Sequence, residues 1–516
     1  MAILKQALLS YSLLSACALT SALPPQAPLL STSAVVETSS SKLPLVDTES
    51  LQSAINITSL LSRAQTLYSL AQLSWHDYNH PTRVIGSAGH TATLEYIYSE
   101  LAQLGDYYTL SEQPFPAFSG NVVESRLVLG DEVVVNASAM SLTPATKGRQ
   151  PVFAEVVLAE GEGCEEKDFG DEVQGKIVLV KRGTCPFGTK SKNAGRAGAV
   201  AAVIYNSEKG PLGGTLGSPD GDHVATFGIS KEEAEPFVKR LGKGKSLDGI
   251  AYIDATVETI HTRNIIAQTV DGDAENCVML GAHSDSVSEG PGINDDGSGT
   301  MSLLEVATHL SHYRVNNCVR FAWWAGEEEG LLGSDFYAAS LSAEENKKIR
   351  MFMDYDMMAS PNFAYQIYNA TNAANPAGSE ELRDLYVDWY EAQGLNYSFI
   401  PFDGRSDYDG FIRAGIPAGG IATGAEGVKT KKEQKMFGGK KGDWYDPCYH
   451  QLCDGVGNVN ATAWEVNTKL IAHSVATYAV SLKGFPERKV GDAEVESVER
   501  GEYERETKYH GDKLFI

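Results

Sequence analysis

The sequence predicts an α/β protein with a mostly parallel sheet, covered by helices on both faces and interrupted by a β-rich insertion. After residue 264, apolar runs of strand length alternate with stretches of helical spacing, which is typical of parallel strands joined by helices. Residues 121–260 instead show short β-rich runs separated by glycine-rich turns. The length of 516 residues agrees, because it exceeds what one ordinary hydrophobic core supports.

The individual elements follow from the spacing of apolar residues. Two helices are predicted ahead of the insertion, at residues 48–73 and 88–104. Within the insertion, we expect strands at 122–129, 132–135, 151–158, 176–181 and 200–205, and a helix at 190–199. Beyond it, we expect strands at 265–270, 277–280, 319–324 and 349–355, and a helix at 302–312.

The two ends of the chain differ from its middle. Residues 1–22 have a lysine at position 5, an apolar stretch and a small-residue cleavage site, which is the pattern of a secretory signal peptide. A buried helix is the alternative for this stretch. Residues 23–47 are rich in Pro, Ser and Thr and predict a flexible segment or a removable propeptide. Residues 487–516 are highly charged and predict a poorly ordered tail.

Cysteine and asparagine usage indicates an oxidising, extracellular location. Six cysteines remain after the predicted signal, an even number that fits a disulfide framework. Their proximity along the chain suggests the pairs Cys164–Cys185, Cys277–Cys318 and Cys448–Cys453. Asn-x-Ser/Thr sequons begin at Asn56, Asn136, Asn369, Asn396 and Asn460. We therefore expect a secreted glycoprotein and favour secretion over a vacuolar location.

The charge balance excludes one class of partner. The formal net charge is −24 and the isoelectric point is about 4.9, whereas a surface that binds nucleic acid needs clustered Lys and Arg. After the predicted signal, no run is long and apolar enough to span a bilayer. We expect a protein that binds neither nucleic acid nor membrane, with a monomer as the default state.

Five segments place histidines or acids where a metal could be held. Four lie at predicted strand or helix ends: GAHSDSV (281–287), PGINDDGSGT (291–300), AWWAGEEEGLLGS (322–334) and MFMDYDMMASPN (351–362). The fifth, CYHQLCD (448–454), puts a histidine between two cysteines. Because α/β proteins bind their ligands at strand ends, we expect these segments to converge.

Each of three segments also has a purely structural explanation. His283, followed two residues later by Asp285, could be a structural histidine or a metal ligand with its orienting carboxylate. Asp295 and Asp296 could cap a helix, or one of them could bridge two metal ions. The cysteines around His450 could close a small loop or bind zinc as in a zinc finger.

The acidic residues point more directly to a cation. Glu327, Glu328 and Glu329 follow an apolar strand. They could form a solvated turn, but acids that repel one another at the end of a core strand are the kind of local conflict expected at a functional site. One glutamate as metal ligand and one as general base is a sensible division of roles. Asp354 and Asp356 would share one face of a continuing strand, and are costly to bury unpaired. Nitrogen and oxygen ligands without thiolate favour zinc, manganese or cobalt.

In this order, the five segments resemble those of the di-zinc aminopeptidases of the bacterial leucyl aminopeptidase and fungal aminopeptidase Y type. The likeness is greatest to the fungal secreted leucine aminopeptidase 2 group and covers roughly residues 50–485. It implies the zinc exopeptidase fold and two zinc ions per chain. The implied metal ligands are His283 and Asp356 for one zinc, Glu328 and His450 for the other, and Asp295 as the bridge. The implied catalytic residues are Glu327 as general base, Tyr449 as oxyanion stabiliser and Asp285 as the acid behind the site.

The insertion has a resemblance of its own. KIVLVKRGTCPFGTK (176–190) and NAGRAGAVAAVIYN (193–206) resemble a protease-associated domain. Residues 121–260 are therefore expected to form this domain within a peptidase domain of residues 48–120 and 261–486. The resemblance of the five segments to the di-zinc aminopeptidases implies an enzyme that removes N-terminal residues from peptides with a free N-terminus, with a broad, leucine-type preference.

Three alternatives share parts of this architecture. A carboxypeptidase of the glutamate carboxypeptidase type needs basic residues that grip a carboxylate, and Arg405 is the only obvious candidate. Glutaminyl cyclases bind one zinc and lack the insertion. A non-catalytic module of the transferrin receptor type has degraded ligand positions, whereas all five are present in this sequence.

Overall fold

The computed structural model describes residues 43–207 and 212–488. The predicted signal peptide, most of the predicted flexible segment and nearly all of the predicted charged tail lie outside these residues. The prediction of flexibility is wrong for the end of the segment, because Val46 is buried and Leu45 forms a β-bridge with Arg314. At the other end, Arg488 donates to the main-chain oxygen of Ile349, so the ordered chain continues into the predicted tail.

Helices and strands alternate through most of the described chain. The helices are α1 (Thr48–Ala54), α2 (Ile57–Ala71), α3 (Trp75–Tyr78), α4 (Ala88–Ala102), α5 (Phe187–Arg196), α6 (Lys231–Leu241), α7 (Gly297–Leu310), α8 (Leu332–Ser340), α9 (Ala343–Lys348), α10 (Ser379–Ala392), α11 (Tyr408–Arg413), α12 (Lys431–Phe437) and α13 (Ala461–Val480). The strands are β1 (Tyr108–Leu129), β2 (Glu132–Val133), β3 (Ser138–Ala139), β4 (Val152–Leu158), β5 (Ile177–Lys181), β6 (Ala201–Tyr205), β7 (Thr226–Ile229), β8 (Asp248–Thr269), β9 (Asp273–His283), β10 (Asn317–Trp324), β11 (Ile349–Tyr355), β12 (Gln366–Tyr368), β13 (Ser398–Ile400) and β14 (Ala418–Ala422). Within this part of the chain, no helix combines the length and apolar character that crossing a bilayer requires.

The larger part of the sheet has the strand order β13-β12-β14-β11-β9-β10-β8, with β1 pairing along β8. Its central strands β14, β11, β9 and β10 are mutually parallel, while β8 joins β10 antiparallel. The predicted mixed, mostly parallel sheet is therefore confirmed. Because the central strands run in one direction, their carboxyl ends lie at one edge.

Both faces of this sheet are covered by helices, as predicted. In β10, Phe321 and Trp323 join a core that includes side chains of α1, α2, α4, α7, α10 and α13. The intervening residues Ala322 and Trp324 join a second core with side chains of α8 and α11. This alternation follows from the pleat of a strand, in which successive side chains point to opposite faces.

The inserted part of the chain has a smaller sheet with helices on both faces. Strands β4, β5, β6 and β7 are mutually parallel, with β3 antiparallel at the β7 edge. Leu179 packs in one core with residues of α6, and Val180 packs in another with residues of α5. All three predicted disulfides, Cys164–Cys185, Cys277–Cys318 and Cys448–Cys453, are formed.

A long antiparallel ribbon joins the two parts of the sheet. Strands β1 and β8 are each 22 residues long and pair from Tyr108↔Thr269 to Leu129↔Gly249. The predicted domain boundaries at 120/121 and 260/261 both fall inside this ribbon. The predicted start of β1 at residue 122 is wrong. Pro114 and Pro116 lack an N–H, but an edge strand accepts proline, and this stretch of β1 pairs only with β8 in the described chain.

Two predicted helices also have different bounds. The single helix predicted over residues 48–73 is two helices, because Asn56 starts α2 anew: its side chain accepts from the N–H of Thr58 at 2.8 Å. An asparagine at this position is a favoured N-cap. The helix predicted at 190–199 begins earlier, at Phe187, directly after Pro186.

Candidate metal centre

Three neighbouring parallel strands deliver most of the predicted metal ligands. Strand β9 ends at His283, and Asp356 follows the last residue of β11. Strand β10 ends at Trp324 and leads into the loop that holds Glu328. Because the three carboxyl ends lie at one edge of the sheet, these side chains meet there. His450 reaches the same place from the loop closed by the Cys448–Cys453 disulfide.

The neighbours Asp295 and Asp296 have different roles. Asp296 caps α7: one carboxylate oxygen accepts from the N–H of Gly299 at 2.8 Å and of Met357 at 3.0 Å. Asp295 instead faces two histidines, with Oδ1 at 3.4 Å from Nε2 of His283 and Oδ2 at 3.0 Å from Nε2 of His450. The helix cap considered from the sequence is thus formed by Asp296, and Asp295 is left to face both histidines.

The remaining two acids complete a symmetrical arrangement about Asp295. Oδ1 of Asp356 lies 3.7 Å from Nε2 of His283, and Oε2 of Glu328 lies 3.2 Å from Nε2 of His450. Ligand atoms of His283, Asp295 and Glu328 all lie within 4.8 Å of one another, and so do those of His283, Asp296 and Asp356. The structure therefore brings together all five residues that the sequence singled out as ligands.

These residues fit metal ions. Several of their polar atoms are buried without a hydrogen bond to any described residue: Nδ1 and Nε2 of His283, Oδ2 of Asp295, Oε1 of Glu328 and Oδ1 of Asp356. Burying polar atoms without partners is costly, and a cation would bind them. The donor set contains imidazole nitrogen and carboxylate oxygen but no sulfur, which suits zinc.

The electrostatics of the site also favour added positive charge. Burial alone would lower the pKa of His283, but contacts with three carboxylates raise it well above its ordinary value. The two histidines lower the pKa of Asp295 despite its burial, whereas burial raises the pKa of Glu328 to about 7. The centre therefore attracts positive charge, whether as protons on the histidines or as metal ions.

Asp285 lies next to the predicted ligands and contacts both the glutamate loop and His283. One of its carboxylate oxygens accepts from the N–H groups of Gly326 at 2.9 Å and Glu327 at 3.3 Å. The other accepts from the N–H of Glu328 at 3.3 Å, and Nδ1 of His283 lies 3.7 Å from the first. One carboxylate thus fixes the loop that holds two of the predicted functional glutamates and also faces a histidine predicted to bind metal.

The other acids in the motifs lie outside the set of ligands. Glu329 is buried, and burial raises its pKa well above the ordinary range. Asp354 is fully buried in β11, neither of its carboxylate oxygens hydrogen-bonds to a described residue, and burial likewise raises its pKa. The sequence selected Asp356 over Asp354, and Asp356 is the residue that lies beside His283.

Two cavities flank the centre. The first, which we call the β3 cleft, has a volume of about 440 Å³ and is lined by Glu328, His450 and the residues Ala137, Ser138 and Ala139 in and beside β3, among others. The second, the aromatic pocket, has a volume of about 380 Å³ and is lined by Asp356, Tyr368, Phe399, Tyr445 and Tyr449, among others. The predicted ligands therefore lie between an open cleft and a pocket with aromatic walls.

Tyr449 lies where the centre meets the aromatic pocket. Its ring stacks on that of His450 with centroids 3.8 Å apart. Burial raises the pKa of its phenol well above the usual value, so the phenol keeps its proton at neutral pH. Nearby, Arg405 forms an ion pair with Glu426 at 2.8 Å. The single candidate for gripping a substrate carboxylate is thus already bound to a carboxylate of the chain.

Sequence reasoning missed two residues that shape the site. Arg83 is fully buried and donates to the main-chain oxygens of Ser284, Pro291 and Gly292, so it holds two ligand-bearing loops together. Asp454 accepts from the N–H of Asp295 at 3.1 Å. Asp454 is the last residue of one of the five motifs. Sequence reasoning could not show that Arg83 or Asp454 holds the ligand-bearing loops, because the partners of both are main-chain groups of distant segments.

The comparisons with known proteins agree with this geometry. Residues 264–475 match the model of peptidase family M28, and residues 152–237 match the PA domain. Aminopeptidase Y of Saccharomyces cerevisiae is 51% identical over 456 residues, which is 86% of this chain and 83% of the relative. The chain belongs to peptidase family M28. The resemblance inferred from its motifs is therefore confirmed, including the inserted protease-associated domain.

Other members of the family resemble this M28 peptidase along most of its length. Leucine aminopeptidase 2 of Trichophyton equinum is 44% identical, covering 86% of this chain and 88% of the relative. The solved aminopeptidase from Aneurinibacillus sp. strain AM-1 is 27% identical with a TM-score of 0.69, covering 86% of this chain and 98% of that one. A solved zinc aminopeptidase from Bacillus subtilis shares the fold. It is 24% identical with a TM-score of 0.59, covering 83% of this chain and 98% of that one.

Proposed function

We propose that this M28 peptidase removes the N-terminal residue from peptides at a centre of two zinc ions. The observation that carries the proposal is the position of Asp295, whose two carboxylate oxygens face different histidines at 3.4 and 3.0 Å. Similarity to enzymes named aminopeptidase along most of their length supports the reaction class. The family and the nitrogen–oxygen donor set support zinc, and the paired arrangement supports two ions.

Each half of the arrangement provides one binding site. His283 and Asp356 would hold one zinc ion, Glu328 and His450 would hold the other, and Asp295 would bind both. When bound, such ions polarise a substrate carbonyl and lower the pKa of water towards neutrality. The residues of the chain then determine where the substrate lies and where protons move.

Glu327 is our candidate for the proton-transferring base. Its main-chain N–H is fixed by Asp285, and it is close enough to His283 to contribute to the raised pKa of that histidine. In this position it can accept a proton from the attacking water and return it to the leaving amine. Tyr449, which keeps its phenolic proton at neutral pH, can donate a hydrogen bond to the developing oxyanion.

The two cavities explain why only the first residue would be removed. We assign the aromatic pocket to the side chain of the N-terminal residue, because its walls of Tyr368, Phe399 and Tyr445 favour apolar groups. The free amine would lie near the acidic ligands at the mouth of this pocket. The rest of the peptide would leave through the β3 cleft. This arrangement supports a broad, leucine-type preference.

We also propose that the protein is secreted and glycosylated, starts with a removable segment, and acts as a monomer. The sequons at Asn56, Asn136, Asn369 and Asn396 have exposed asparagines that a glycan can reach. Asn460 differs from these four because it is only partly exposed. We therefore expect glycans at the four exposed positions and none at Asn460, which mass spectrometry of the secreted protein tests.

The central test is the hydrolysis of leucine anilide by the purified protein, compared with its N-acetylated form. We expect cleavage of the free-amine substrate only, loss of activity after chelation, and recovery on titration with zinc that saturates at two ions per chain. Cleavage of the acetylated substrate would refute the exopeptidase assignment. Full recovery with one bound ion would refute the two-zinc centre while leaving the aminopeptidase assignment intact.

A further inference from the structure

The protease-associated domain forms one wall of the β3 cleft with three consecutive residues. Ala137, Ser138 and Ala139 all line this cavity, which also contains Glu328 and His450. Successive side chains of a strand point to opposite faces, so a single face cannot present three residues in a row. The backbone edge of β3 therefore faces the cleft.

Among the described residues, no other strand pairs with this edge of β3. Strand β3 is the last strand in the sheet order and pairs with β7 on its other side, with Ser138 opposite Gly228 and Ala139 opposite Phe227. In the same register, Met140 donates its N–H to the main-chain oxygen of Thr226 at 3.0 Å. Bonded and non-bonded pairs alternate in antiparallel ladders. Ala139 is therefore a non-bonded position, and its N–H and C=O point away from β7 towards the cleft. The C=O accepts only a long hydrogen bond from Oγ of Ser138 at 3.4 Å within the described chain.

The edge is short and has small side chains. Beyond it, Ser141 donates its N–H to the main-chain oxygen of Gly214, so the free stretch ends before this residue. The alanine and serine side chains of β3 leave room for another backbone to approach to hydrogen-bonding distance. Glu328 and His450 line the same cavity as β3, so a chain that leaves the metal centre through this cleft can lie beside β3.

We propose that peptide substrates add a strand to β3, with the main chain downstream of the cleaved bond pairing with Ala139. This inference rests on the proposed aminopeptidase function and specifies how its longer substrates are held. Strand addition recognises main-chain groups rather than side chains, so it suits substrates of varied sequence. It also requires an extended N-terminal segment, so folded N-termini should be poor substrates.

The first experiment uses the unaltered zinc-loaded protein. Substrates are leucine aminomethylcoumarin, which has no downstream residues, and a leucine-initiated pentapeptide in which each downstream amide in turn is replaced by an ester. The expected result is a roughly fivefold fall in kcat/KM when the ester removes the N–H that pairs with β3, since one hydrogen bond contributes about 1 kcal/mol. Equal kcat/KM for all esters beyond the scissile bond would overturn the proposal.

The second experiment changes the protein. Ala139→Pro removes the N–H that faces the cleft, and proline is tolerated on an edge strand. The matched control is Val135→Pro, because Val135 is 82% exposed, lies outside the cleft and follows Val134 in a turn closed by the N–H of Ala137. We expect Ala139→Pro to lower kcat/KM for the pentapeptide about fivefold and to leave coumarin hydrolysis intact.

The outcomes separate this inference from the proposed function. Normal pentapeptide kinetics in Ala139→Pro would refute strand addition while leaving the aminopeptidase assignment untouched. Failure of the unaltered protein to cleave leucine aminomethylcoumarin would instead refute the proposed function. If Ala139→Pro loses coumarin hydrolysis, the variant has damaged the centre, and the ester series on the unaltered protein decides.

Discussion

Replacing Asp285 with Asn tests how much zinc binding depends on the carboxylate that holds the glutamate loop and faces His283. The change keeps the size of the side chain but removes its charge and turns one acceptor into a donor. An amide oxygen at Oδ1 can still accept from Gly326 and Glu327, at 2.9 and 3.3 Å. The amide nitrogen at Oδ2, however, faces the N–H of Glu328, which is 3.3 Å away and also a donor.

The size of the effect follows from these contacts. A hydrogen bond to a charged group contributes roughly 1.5–3 kcal/mol, and a factor of ten in affinity corresponds to about 1.4 kcal/mol. Losing one such bond and displacing Glu328 should therefore weaken zinc binding by roughly ten- to a hundredfold. This range matches the usual effect of removing a group that orients a metal ligand.

The assay is competition for zinc against a chelator of known affinity, with bound metal measured by elemental analysis. Asp335→Asn is the matched control, since Asp335 is also buried but pairs with Arg413, away from the centre. We expect weaker zinc binding and lower kcat/KM in Asp285→Asn, and unchanged zinc affinity in the control. Unchanged zinc affinity in Asp285→Asn would refute the view that this carboxylate positions the ligands.

Three further predictions concern the base, the small disulfide and the helical layer. Glu327→Gln should lower kcat by about 10²–10⁴-fold while bound zinc stays the same, and zinc loss in this variant would contradict its role as base. Cys448→Ser should weaken zinc retention, because the disulfide closes the short loop around a ligand, whereas Cys164→Ser in the protease-associated domain should leave zinc retention unchanged. Glu305→Gln should lower the free energy of unfolding by about 3 kcal/mol, since Glu305 pairs in the interior with Arg63 at 2.9 Å. Although burial alone would raise the pKa of Glu305, its partners lower it. The ion pair therefore contributes fully to the free energy of unfolding above the ordinary carboxyl pKa, and this contribution is lost as the pH falls through the lower pKa of the folded protein. Urea unfolding at pH 7 and pH 3 checks this.

Three of the five candidate ligands, His283, Glu328 and Asp356, could be singled out because they lie at or just beyond the end of a strand that the sequence already marks. His283 and Asp356 follow apolar strands of ordinary length, and parallel strands bring their carboxyl ends together. His450 could be placed only through its resemblance to a family, because nothing in its own surroundings shows which distant strands it reaches. At Asp295 and Asp296 the local sequence left cap and bridge open, since both roles suit a carboxylate beside a helix start, and only the family resemblance pointed to Asp295 as the bridge.

The long strands were harder to predict than the site. Pro114 and Pro116 interrupt the local pattern of β1, so sequence reasoning began this strand 14 residues too late, at 122 instead of 108. The strand forms because β8 supplies a continuous partner that is distant in sequence. Asn56 had the opposite effect, since its capping side chain splits a stretch whose apolar spacing is continuous. Both errors arise where one local contact or one distant partner outweighs periodicity.

The ribbon of β1 and β8 determines how the protease-associated domain meets the metal centre. An inserted domain joined by two loose linkers could change its position freely, whereas here the two crossings of the chain pair with each other through 22 residues each. Swinging the domain away would break ladder hydrogen bonds, each contributing roughly 1 kcal/mol. β8 also pairs with β10 at one end and β4 at the other, so one strand extends from the sheet of the metal centre to the sheet that ends in β3. The pairing of β8 with both parts of the sheet therefore holds β3 at a fixed distance from the metal centre. Strand addition to Ala139 requires such a fixed distance, because the bound peptide must reach both the centre and β3 at once.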